Sequence, residues 1–105
     1  MFTDTTVVQI PFTTEMAKAA VEGRKICTAR TKSYGKPGDY FYVGATLFCL
    51  EAVFKVPLWM VADFLYKAEG FESSAGFVDT WCKIHPRKGF VADQEVFVHF
   101  FQKCD

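Results

Sequence analysis

The sequence has no excess of charge of either sign: twelve basic and twelve acidic residues give a formal net charge of zero. That excludes a chain that holds nucleic acid through bulk positive charge. No apolar run approaches the ~20 residues that a membrane-spanning helix needs, so no membrane partner is expected. The opening residues MFTDTTVVQI carry neither a basic n-region nor a small-residue cleavage site. No secretory signal is read there, and the cytoplasm is the expected location. Four cysteines are present, Cys27, Cys49, Cys82 and Cys104, without a Cys-x-x-Cys pair. Outside a secretory context they read as free thiols rather than disulfides. Neither His85 nor His99 has the spacing of a zinc ligand set, so no metal and no cofactor is expected. Repeats, low-complexity stretches and long linkers are absent too, and the 105 residues read as one domain, with a monomer favoured.

What is present is core material. Half of the residues are apolar and twelve are Phe, ample for one packed core at this size. Charge, though balanced overall, is uneven locally. Arg24, Lys25, Arg30, Lys32 and Lys36 lie in a stretch without an acid, and His85-Pro86-Arg87-Lys88 forms a second basic cluster. Solvated loop charge is the plain reading, and it is favoured for Lys32, Lys36 and Lys88. The sharper reading is a local anion or nucleotide site.

The spacing predicts strand character at Val7–Ile10, then a helix capped by Thr13 or Thr14 and running to about Glu22. Glu15 suits the positive end of that helix, and Gly23 supplies its stop. Lys25–Thr31 reads as extended, and Tyr34-Gly35-Lys36-Pro37-Gly38-Asp39 as a turn. Tyr40–Val43 and Thr46–Phe54 predict a hairpin joined at Gly44-Ala45. Leu58–Tyr66 and a segment from Ser73 or Ser74 to about Ile84 read as helices, the second ended by Pro86. Glu95–Phe101 is the last strand, apolar on both faces and so expected to be buried on both. Mostly antiparallel strands with helices between them predict an α+β fold, a small open or closed barrel with helices outside it.

Gly23-Arg24-Lys25-Ile26-Cys27-Thr28-Ala29-Arg30 is the most informative segment. Alternation along a strand puts Thr28 and Arg30 on one face. Lys25 meets Thr28 only if it lies in an irregular turn before the strand, which Gly23 makes easy.

Gly23-x-Lys25-x-x-Thr28-x-Arg30 resembles the G-x-K-x-x-T-x-R signature of ASCH domains, small relatives of the PUA RNA-binding fold. Gly35-Lys36-Pro37-Gly38-Asp39 is similar to that family's turn before a strand. Ala68-Glu69-Gly70-Phe71 with Phe77 and Trp81 resembles a later segment of the family, and Ile84–Phe90 followed by Val96–Phe100 resembles the ending of one of its branches. The resemblance implies a PUA-like small β-barrel of mixed, mostly antiparallel strands flanked by helices. It also implies a cleft for RNA or a nucleotide beside the signature. One branch of similar length hydrolyses N4-acetylcytidine and related N4-acylated cytosines through a Lys, a Thr and a Glu. By that resemblance the catalytic candidates are Lys25, Thr28 and Glu69, with Glu72 a nearby alternative. Arg24, Arg30, Tyr34, His85 and Arg87 are the candidate substrate-binding residues.

The chemistry has physical sense. A threonine hydroxyl is a weak nucleophile until a base takes its proton. A lysine titrating near 10.4 must be neutralised to serve as that base. Glu69 beside it would hold it charged, unless a proton is shared among the groups. Three functions share the cleft: an amidohydrolase on a modified pyrimidine nucleoside, an RNA-binding module using aromatics such as Tyr34 or Tyr40, and a ribonuclease using Lys25 with His85 or Glu69. Arg30 has a plainer reading as an ion-pair partner of Glu69 or Asp39. For Trp81, core packing is favoured over stacking on a ligand.

Overall fold

The computed structural model of the chain describes residues 6–104. Part of the reading of the N-terminus falls on residues 1–5 and lies outside the described residues. The elements run α1 (Thr14–Val21), β1 (Cys27–Arg30), β2 (Tyr40–Val43), β3 (Thr46–Pro57), α2 (Leu58–Phe64), α3 (Ser74–Ile84) and β4 (Glu95–Lys103). The four strands form one curled sheet in the order β1-β4-β3-β2, every neighbouring pair antiparallel. It is a half-barrel with three helices against it, as expected for a PUA-like α+β fold.

Local chemistry explains the boundaries. Thr13 caps α1, its hydroxyl accepting from Met16 N at 3.2 Å. At the other end Gly23 takes φ +85°, while Arg24 N donates to Ala19 O and Gly23 N to Ala20 O. These are the two bonds of a Schellman stop, which needs a residue without a Cβ penalty at that point. Ser73 caps α3 through Gly76 N at 3.0 Å. β3 and β4 outrun the sequence expectation because they pair with each other, from Phe48↔Lys103 to Pro57↔Glu95. Glu51 is an extra residue in β3 between the pairs Leu50↔Phe101 and Ala52↔Phe100. A bulge of this kind bends a strand.

Two expectations need correction. Val7–Ile10 is not a strand: only Val7 bridges Tyr40, in parallel. Beyond it the chain leaves the sheet, because Ile10 buries its side chain with Ala20 and Phe41. The helix expected to reach Tyr66 ends at Phe64. The chain then coils through turns to Gly70 at φ +99°, which brings Ala68 and Glu69 beside β1.

The sheet has a core on each face. Cys27, Ala29, Val96 and Val98 pack with Leu58, Val61, Ala62, Phe77 and Trp81 from α2 and α3. On the opposite face Phe41, Phe48, Leu50 and Phe101 pack with Ala20 and Ile10. Phe41, Phe48 and Phe101 stack or meet edge-on with ring centroids 5.3–5.4 Å apart. Each such ring contributes about 1.5–3 kcal/mol by leaving water. β4 is buried on both faces, as its alternating apolar sequence predicts. β1 is an edge strand, and its free side is covered by the loop after α2. Ile26 N and Cys27 N donate to Ala68 O at 2.7 and 3.2 Å.

Candidate functional site

A cavity of about 450 Å³ opens along the outer edge of β1, between the start of α1 and the second half of α3. It is large enough for one nucleoside. Lys25, Thr28, Arg30, Tyr34, Glu69 and His85 all line it. They arrive by several devices. Lys25 sits in the irregular stretch between the Gly23 stop and β1, where contact with Thr28's surroundings requires it. Thr28 and Arg30 share a face of β1. Glu69 is delivered by the turn that Gly70 closes, and a Cβ at Gly70 would stand 3.2 Å from the Lys25 Cβ.

Lys25 is not a surface lysine: its side chain is 2% exposed and that of Glu69 4%. Lys25 Nζ donates to Glu69 Oε1 at 2.8 Å and to the Glu69 backbone carbonyl at 3.0 Å. The second carboxylate oxygen, Oε2, accepts from Ala29 N at 2.7 Å. The pair therefore lies against the strand that carries Thr28, and both Glu69 oxygens are matched. Burial of an ion pair costs desolvation, so this degree of hydrogen bonding is what makes it tolerable. Glu72, the alternative carboxylate, is exposed and does not line the cavity.

Thr28 is buried, and its Oγ1 accepts from Arg30 Nε at 3.1 Å. No hydrogen bond joins Thr28 to Lys25 among the described residues. The Arg30 guanidinium lies 5.2 Å from the Phe12 ring centroid and 5.6 Å from that of Tyr34. It pairs with neither Glu69 nor Asp39, which corrects its plainer reading. Asp39 is held instead by Lys36, at 2.8 Å. Burial lowers Arg30 from its ordinary value, opposed by Tyr34 and Glu69.

His85 stacks on Trp81 with ring centroids 4.2 Å apart, and its Nδ1 faces Trp81 O at 3.1 Å. Trp81 belongs to the core and to the cavity wall at once, and its buried Nε1–H has no acceptor among the described residues. Two candidates stand apart. Arg24 is exposed and paired with Glu22 at 2.7 Å, and Arg87 is exposed; neither lines the cavity. For Arg24 the reason is the Schellman stop, which turns it outward as it turns Lys25 in.

Phe12 and His99 were not singled out as site residues by the sequence. Phe12 precedes the α1 cap and forms a wall. His99 lies opposite Thr28 in the β1–β4 register, fully buried. Its Nε2 accepts from Tyr34 N at 3.0 Å, so the proton must sit on Nδ1, which donates to Thr28 O at 3.1 Å. Burial pushes its pKa down, consistent with a neutral ring that ties the Tyr34 loop to β1. Register with Thr28 was the available signal, once the two strands were known to pair. Among the described residues, no group of three or more His, Cys, Asp or Glu is placed to hold a metal ion, and no helix is long and apolar enough to cross a membrane.

No protein-family model matches the sequence, and a search of curated proteins finds no match. Solved structures do match. An ASCH domain from Lactobacillus crispatus JV V101 superposes with a TM-score of 0.76 at 12% identity, covering 94% of this chain and 79% of that one. A protein from Enterococcus faecalis V583 gives a TM-score of 0.64 at 17% identity, covering 100% of this chain and 82% of that one. ASCH from Zymomonas mobilis gives 0.62 at 18% identity, covering 91% and 66%. Likeness at these identities carries the architecture: the curled four-stranded sheet with its three helices is the ASCH-domain fold.

Proposed function

We propose that this cavity binds an N4-acylated cytidine-type nucleoside and hydrolyses its acyl amide. The observation that carries the reading is the buried Lys25–Glu69 pair on the same cavity wall as the Thr28 hydroxyl. A proton moving across the 2.8 Å bond from Lys25 to Glu69 leaves a neutral amine beside a carboxylic acid. Such a transfer inside a low-dielectric site removes two buried charges together.

The neutral Lys25 amine then takes the Thr28 hydroxyl proton as Oγ1 bonds to the acyl carbon. The carbonyl electron pair moves to oxygen. On its return the C–N4 bond breaks, and the leaving amine takes the proton from Glu69. Water attacks the Thr28 ester with the same two groups exchanging protons, which releases the carboxylic acid and restores the ion pair. Phe12, Tyr34, Phe71 and Trp81 supply the aromatic walls that a pyrimidine ring requires.

The test is release of cytidine from N4-acetylcytidine, followed by absorbance, beside Thr28→Val and Lys25→Ala. Turnover lost in both variants supports the reading. An inactive wild type, at a sensitivity of about one event per enzyme per hour, overturns it, since enzymes commonly reach about 1–1000 per second.

A second reading has its own observation. Lys32 and Arg30 lie 5.0 and 5.6 Å from the centroid of the Tyr34 ring, and neither cation has a carboxylate within ion-pair distance among the described residues. An aromatic ring of the cavity lining with two cations close by suits single-stranded RNA, with stacking on Tyr34 and phosphates at the cations. Binding of this kind falls steeply with salt and tolerates Thr28→Val.

A further inference from the structure

Acyl transfer through Thr28 needs a donor for the oxygen that becomes negative in the tetrahedral intermediate. The backbone amide next to Thr28, Ala29 N–H, is already held by Glu69 Oε2 at 2.7 Å. Arg30 has what that amide lacks. Its Nε donates to Thr28 Oγ1 at 3.1 Å, so it already touches the attacking oxygen. The ion pairs among the described residues involve Arg24, Lys25, Lys36 and Lys83, so no carboxylate is in contact with its guanidinium, which feels the Glu69 charge and the Tyr34 side chain. Phe12 and Tyr34 flank it at 5.2 and 5.6 Å. Ring faces hold a guanidinium in place without neutralising it.

We propose that Arg30 is a catalytic residue of this hydrolysis and binds the oxyanion, with Nε–H on Thr28 Oγ1 and the neighbouring Nη–H on the former carbonyl oxygen. The inference rests on the hydrolase reading above. Its physical basis is the shape of the adduct. Thr28 Oγ1 and the oxyanion are bonded to one carbon, as the two oxygens of a carboxylate are. The Nε–H and one Nη–H of arginine point in parallel at such a pair.

Arg30 keeps all its protons through the cycle. The Thr28 proton goes to Lys25 while the Oγ1–C bond forms, and the carbonyl electron pair moves onto oxygen, where Nη–H meets it. The pair returns as the C–N4 bond breaks. A donor bonded to an oxyanion is held more strongly than one bonded to the starting carbonyl, so the contact favours the transition state over the bound substrate. Lysine at this position would keep the charge and lose the fork.

The experiment measures kcat and KM for N4-acetylcytidine with Arg30→Gln, Arg30→Lys and Arg30→Ala, with thermal melting of each variant as the check on folding. The expected result is a fall in kcat of about 10²–10³-fold in Arg30→Gln. Arg30→Lys should fall comparably, with KM within about threefold of wild type. Added guanidinium ion should restore part of the kcat of Arg30→Ala and none of that of Thr28→Val. Should Arg30→Gln or Arg30→Ala fail to fold, Arg30→Lys retains the cation and the aliphatic stem and carries the test. A raised KM with unchanged kcat assigns Arg30 to substrate binding alone and overturns the inference, as does a wild-type kcat in Arg30→Lys. An inert wild type overturns the hydrolase reading and this inference together, whereas an active wild type indifferent to Arg30 overturns this inference alone.

Discussion

Glu69 grips Lys25 twice, once through its carboxylate at 2.8 Å and once through its own backbone carbonyl at 3.0 Å. One residue thus supplies the counter-charge and fixes the lysine's position by main chain. The arrangement makes the pair a structural joint between the loop after α2 and the entry to β1, in addition to any chemistry it performs.

Breaking that joint from one side leaves a buried charge without a partner. Glu69→Ala should lower unfolding stability by about 3–5 kcal/mol. Lys25→Met combined with Glu69→Gln should cost less than the sum of the two single changes, because each removes the charge that penalises the other. Urea unfolding of wild type, Glu69→Ala, the two single changes and their combination measures both the loss and the coupling. Additive losses would show that the two side chains do not interact as the 2.8 Å contact requires.

Thr28→Val separates chemistry from packing. The replacement has nearly the same shape and removes the acceptor for Arg30 Nε. The stability loss should be about 1 kcal/mol, while cytidine release from N4-acetylcytidine should fall to the background rate. A variant that melts like wild type and still turns over would remove Thr28 from the mechanism.

His99 gives the fold a pH dependence with a definite sign. Burial lowers its folded-state pKa below the ordinary value of 6.5. The unfolded chain then binds more protons than the folded one below about pH 6.5, so its contribution is complete above that pH. It is lost as pH falls from there toward the lowered folded value, by at most about 1.4 kcal/mol per pH unit. The proton would enter at Nε2 and displace the bond from Tyr34 N. Urea midpoints of wild type and His99→Gln between pH 7 and pH 5 check this, and the variant should show the shallower profile.

Gly70 should not accept a side chain. Its φ of +99° is strained for any L residue, and an added Cβ would meet the Lys25 Cβ at 3.2 Å. Gly70→Ala should destabilise by at least about 1–2 kcal/mol and reduce turnover by shifting Lys25 against Glu69. Melting temperature and kcat measured on the same preparation show whether the two effects travel together.

Much of this was legible in residue order. Thr13, Gly23, Ser73 and Pro86 bound helices by short-range chemistry, and alternation in β1 puts Thr28 and Arg30 on one face. The irregular placement of Lys25 followed from asking what Thr28 could reach. Long-range facts were not legible. Which strand lies beside β1 decides that His99 backs Thr28, and no local pattern reports that pairing. Arg24 and Lys25 are equal as sequence, yet the Schellman bonds send one to solvent and the other to the core. Phe12 carries no local signal of a site, because its role depends on where the fold brings the Arg30 guanidinium.

The same Glu69 oxygen that closes on Ala29 N–H also seals a strand rim, together with the Ala68 carbonyl on the amides of Ile26 and Cys27. Unsealed rims invite strand-by-strand association between copies of a chain. Removal of this carboxylate therefore opens a place for self-association as it strips the buried Lys25 of its counter-charge. Ion pairing and colloidal behaviour are tied at one side chain.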